Sequence, residues 1–117
     1  MKWMAFLFLW VGLFGCREDQ QPTWQVSYRV VAFEQVPFKY RVSFQNPSGG
    51  TVSRGPIDQY LWESDTFTFE SGSTLFIEMD MIQGDTDADI QILVNGQVHQ
   101  EEIKKKGENT ASLSFQL

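Results

Sequence analysis

Strict alternation is the feature that most restricts this chain. In Phe38-Lys39-Tyr40-Arg41-Val42-Ser43-Phe44 every even position is apolar and every odd one polar, a period of two that suits a strand with one buried and one wet face. The period returns in Val26-Ser27-Tyr28-Arg29-Val30, which turns continuously apolar through Phe33, and again in Thr66-Phe67-Thr68-Phe69. It recurs in Leu75 to Met81, with Leu75, Ile77, Met79 and Met81 on one face, and in Ala111, Leu113 and Phe115. Turn formers separate these runs: Asn46-Pro47-Ser48-Gly49-Gly50, then Gly55-Pro56 closing a short strand from Thr51 to Arg54, Ser71-Gly72-Ser73, Gln83-Gly84-Asp85, and the polar stretch Lys104 to Asn109. Asn95-Gly96 between Ile90–Val94 and Gln97-Val98-His99 predicts a hairpin, because these residues tolerate the positive φ of a type I′ turn. Ile57 to Trp62 breaks the alternation and reads as a loop or one helical turn that carries Tyr60, Leu61 and Trp62 under the sheet. No 3.6-residue apolar period is sustained anywhere, so the chain is expected to be all-β, an antiparallel β-sandwich of about seven or eight short strands.

The N-terminus follows a different logic. Met1-Lys2 is positive, and Trp3 to Phe14 is apolar throughout. That stretch suits the core of a secretion signal and falls short of the roughly 20 apolar residues that span a bilayer. It ends in Leu13-Phe14-Gly15-Cys16, which resembles the lipobox of bacterial lipoproteins. Residues 1–15 are therefore expected to be a signal peptide, Cys16 the lipidated N-terminus, 16–23 a polar tether containing Pro22, and 24–117 the sandwich domain. Two or three acyl chains anchor a protein stably where one does not, since each buried methylene contributes about 0.8 kcal/mol.

Loss of the first fifteen residues removes one lysine and no acid, so the formal charge moves from −6 to −7. An acidic domain is a poor match for nucleic acid or anionic headgroups, which are held by clustered Lys and Arg. Cys16 is the one cysteine, so no internal disulfide is available and the domain must rest on its aromatic-rich core.

From Tyr28 onward the order of features resembles the MmpS family of small mycobacterial membrane proteins and its relatives in other envelopes. The likeness is carried by Val42-Ser43-Phe44-Gln45-Asn46, the Gly49-Gly50-Thr51 turn, a Pro and a Trp ahead of the Thr/Phe strand, and Asp89-Ile90-Gln91-Ile92-Leu93-Val94-Asn95-Gly96-Gln97-Val98. The resemblance implies an immunoglobulin-like sandwich that assists a transporter of the resistance-nodulation-division class. The chain departs from the family in having a lipobox in place of a spanning helix and in lacking the sandwich cysteine pair. The charged run Arg17-Glu18-Asp19-Gln20 after Cys16 also resembles the surface-export signal of lipoproteins in the Bacteroidota, which implies an outer-membrane location.

Few residues suggest chemistry. Asp85, Asp87 and Asp89 offer the carboxylate oxygens that calcium prefers, although Ile90 stands where an EF-hand loop needs glycine and Gly96 where it needs an acid; the other reading is a solvated turn. Tyr60 and Trp62 form either an exposed stacking platform for a partner or sugar, or an aromatic plug. His99 is the single histidine, and no serine lies in a Gly-x-Ser-x-Gly elbow. Glu63, Asp65, Glu70, Glu78, Asp80, Glu101 and Glu102 carry no assigned role, and Lys104-Lys105-Lys106 reads as a soluble loop. The expectation is a non-catalytic, lipid-anchored envelope binding module, accessory to a transporter, with a small-ligand or glycan-binding surface lipoprotein as the alternative.

Overall fold

The computed structural model describes residues 23–33 and 37–117; the expected signal peptide, Cys16 and the tether as far as residue 22 lie outside the described residues. Among the described residues there are nine strands: β1 (Thr23–Ala32), β2 (Lys39–Gln45), β3 (Thr51–Ile57), β4 (Leu61–Glu63), β5 (Phe67–Glu70), β6 (Thr74–Gln83), β7 (Ala88–Val94), β8 (Gln97–Lys104) and β9 (Thr110–Gln116). They form two antiparallel sheets. The first runs β4-β1-β7-β8, with β5 also on β1; the second runs β3-β2-β6-β9.

The alternation read from the sequence sets what lies between the sheets. Val26, Tyr28 and Val30 of β1, Tyr40, Val42 and Phe44 of β2, Leu75, Ile77 and Met79 of β6, and Ile90 and Ile92 of β7 are all buried in one core. Two tyrosines reach it because their hydroxyls find carbonyls at its margin: Tyr28 donates to Gln45 O at 2.9 Å and Tyr40 to Gln59 O at 3.1 Å. Burial pushes both phenols well above their ordinary pKa. Tyr28 also stacks, tilted, on Phe44 at 5.1 Å between centroids, tying the first sheet to the second.

The sandwich is as expected, but Leu61–Glu63 brings the strand count to nine rather than seven or eight, and several strand boundaries differ from those expected. β3 does not stop at Gly55-Pro56, whose peptide bond is cis; it continues to Ile57, and an edge strand tolerates the proline because its missing N–H needs no partner there. Leu61–Glu63 is a strand, not a helical turn, and pairs with Arg29–Val31 of β1. It shares that side of β1 with β5, which pairs with Thr23–Val26. β8 runs past His99 to Lys104, and β1 begins at Thr23, one residue before the expected domain start.

The hairpin follows the sequence closely. Asn95 and Gly96 have φ of 54° and 83°, and Asn95 also ties back to β1, where its N–H donates to Gln25 O at 2.7 Å and its Oδ1 accepts from Gln25 N at 3.1 Å. A second turn is more confined. Gly84 has φ of +73°, and a Cβ there would lie 2.5 Å from Pro37 O, whereas one at Gly96 would meet open space. Gly84→Ala is expected to destabilise the domain by about 2 to 3 kcal/mol and Gly96→Ala by about 1 kcal/mol, a ranking that denaturant melts of the two variants will check.

Candidate functional site

The end of the sandwich opposite Thr23 is organised by one lysine. Gln100, Glu102 and Lys104 of β8 lie opposite Ile92, Ile90 and Ala88 of β7, so the strand's alternation turns Lys104 inward. Its side chain is fully buried. The ammonium donates to Asp85 Oδ1 at 2.8 Å, Thr86 O at 2.9 Å and Lys105 O at 3.1 Å, one acceptor for each of its three protons. A buried cation is tolerable only when paired and hydrogen-bonded in this way.

The aspartates complete the arrangement by holding the neighbouring turn. Asp85 Oδ1 also accepts from Thr86 N at 2.9 Å, and its Oδ2 from Gly107 N at 2.8 Å. Asp87 Oδ1 accepts from Lys106 N at 2.6 Å. The loops 84–87 and 105–109 are thereby fastened to each other through carboxylates and one ammonium. The hydrogen bonds from Lys104 and Gly107 hold the Asp85 carboxyl down at about pH 2.

This corrects two sequence expectations. Lys104 does not belong with Lys105 and Lys106 in a solvated loop, and Asp85 and Asp87 are not a freely solvated turn. Nor do the three aspartates converge as a calcium site would require: Asp89 is turned to the outer face of the first sheet, where its Oδ2 accepts from Gln91 Nε2 at 2.9 Å. Among the described residues no group of three or more His, Cys, Asp or Glu side chains is placed to hold a metal ion. The place where a cation would neutralise Asp85 is filled by the Lys104 ammonium.

Tyr60 and Trp62 both lean on core aromatics. The Trp62 ring lies 5.7 Å from Phe44, and the Tyr60 ring 6.4 Å from Phe38. Trp62 is half-buried and lines a cleft of about 120 Å³ with Phe44, Arg54, Glu63, Ser64, Asp65 and Phe67. Tyr60 does not line it and remains 46% exposed, so the two rings cap the core edge separately instead of forming one platform. A second cleft, of about 170 Å³, lies between the 46–49 turn and Phe69, Ser73 and Thr74. His99 is exposed on β8 with its ring 4.5 Å from Phe115 of β9, bridging the edges of the two sheets.

Lys104→Met is expected to destabilise the domain by about 3 kcal/mol, because it strands Asp85 and two carbonyls. The Asp85 carboxyl, depressed from 3.8 to about 2, stabilises the fold fully above about pH 4, and that contribution disappears as pH falls from 4 to 2. Asp85→Asn should therefore lower stability at neutral pH and flatten its pH dependence in that window, which parallel acid titrations by circular dichroism will show. No family model matches the chain, and no curated protein matches it significantly.

Proposed function

We propose that this chain is a non-catalytic, lipid-anchored module of the bacterial envelope that acts by binding another envelope component. The observation that carries the reading is the apolar run ending in Leu13-Phe14-Gly15-Cys16, with the first strand opening at Thr23. A thioether-linked lipid at Cys16 holds the sandwich close to a bilayer and raises its local concentration toward anything else seated there. The charged run after Cys16 supports the outer membrane as the location and the cell surface as the side.

Binding through a surface suits the interior. Among the described residues the core between the sheets is filled by side chains, and two surface clefts there, of about 120 and 170 Å³, are each smaller than the roughly 300 Å³ at which small-ligand pockets begin. The resemblance to the MmpS family supports a transporter or its assembly as the partner.

Metabolic labelling with a palmitate analogue, followed by intact-mass analysis of the N-terminus, tests the anchor. The expected product begins at an acylated Cys16, and Cys16→Ser is expected to abolish both labelling and cleavage before residue 16. An uncleaved leader or an unmodified thiol on the wild-type protein would sink the proposal. A saturable thermal shift with oligosaccharides or lipids would replace the surface-binding reading with the small-ligand one.

A further inference from the structure

The outer faces of the two sheets differ in character. That of the second sheet is mostly polar: Lys39, Arg41, Ser43 and Gln45 from β2, Glu78 and Asp80 from β6, and Thr110, Ser112, Ser114 and Gln116 from β9, with Phe76 and Ile82 as the apolar exceptions. On the first sheet the register places Leu61, Val31, Asp89 and Ile103 in one row across β4, β1, β7 and β8. Phe33 follows Val31 on the same side, and Val98 lies opposite Leu93 further along. Phe33, Leu61, Ile103 and Val98 are 53, 54, 42 and 45% exposed. Large apolar side chains gathered on one face of a small domain mark an interaction surface.

Polar groups on this face are incompletely matched. Asp89 Oδ1 and Gln91 Oε1 are shut off from solvent with no hydrogen-bond partner, although most such atoms in folded proteins have one. Gln91 lies opposite both Arg29 and Glu101. With both acids ionised Asp89 Oδ1 has no donor; sharing a proton with Asp89, and the charge of Asp89, raise the Glu101 carboxyl, and the Gln91 amide lowers it in part. The cations nearby are committed: Arg29 Nε lies 3.7 Å from Glu63 Oε2, and the Lys104 ammonium is turned inward to Asp85.

We propose that the outer face of the first sheet is the docking surface for a partner polypeptide that presents a lysine or arginine between apolar residues, the base meeting the exposed Glu101 beside Asp89 and the apolar side chains meeting Leu61, Val31 and Ile103. A second copy of this chain is disfavoured as the occupant, because face-to-face pairing would set acid against acid. The inference rests on the binding role proposed above and names its contact surface.

Photo-crosslinking of the full-length chain in its own envelope tests it, with p-benzoylphenylalanine replacing Leu61 or Ile103 on the first sheet, or Ser112 on the second. Discrete protein adducts are expected from Leu61 and Ile103 and not from Ser112, with a Lys or Arg close to the crosslinked position in the captured peptide. Glu101→Lys, at an exposed position, should reduce the adduct by about tenfold or more without changing the melting temperature, and reversing the partner's base to Glu should restore it. Equal adducts from Ser112, capture of a second copy or of lipid, or indifference to Glu101→Lys would overturn the surface. Adducts from Ser112 alone would overturn the surface and leave the binding role standing; silence at all three positions in correctly anchored protein would overturn both.

Discussion

The two inner faces must fit each other without covalent help. With its one cysteine ahead of the domain, the sandwich is held by side chains that alternate inward from both sheets, and a one-residue slip in any strand would turn its apolar set to solvent. Tyr28 and Phe44 show how tightly the layers are coupled: the tyrosine belongs to the first sheet, its ring rests on a phenylalanine of the second, and its hydroxyl is satisfied by a carbonyl of that same β2 strand. Core packing and polar satisfaction thus specify the same register.

The strands that face the core on one side only were legible, because burial leaves a written period. β2, β6 and the Asn95-Gly96 hairpin are the clearest cases. What stayed illegible lies at the edges, where neither face is fully buried and the alternation fades. β8 is exposed from Gln97 to His99 and from Glu101 to Ile103, so only its first residues could be read as a strand. β3 carries a proline that a central strand would exclude, and β4 is three residues long. Nothing in the local sequence of Lys104 distinguishes it from the two lysines beside it; its inward position depends on pairing with Ala88, a relation between distant segments. Asp85 was legible as a cation ligand, and the identity of the cation was not.

The first sheet's two edges are built differently. On one side the pairing of β1 is divided between β4 and β5, and short, interrupted strands offer little length for an unwanted strand to join. On the other, β8 is longer, with a register shift between Ile92 and Leu93 of its neighbour and a run of polar and charged side chains. Irregularity and charge discourage open-ended stacking while leaving the outer face uncovered by either edge.

The lysine at the far end of the sandwich has one more implication. A bound divalent ion equilibrates with its surroundings, so a loop organised by one softens when the ion is scarce or sequestered. An ammonium attached through the main chain has no such equilibrium. The junction of the 84–87 and 105–109 loops therefore keeps its shape irrespective of the mineral content of the medium and of any chelator in it.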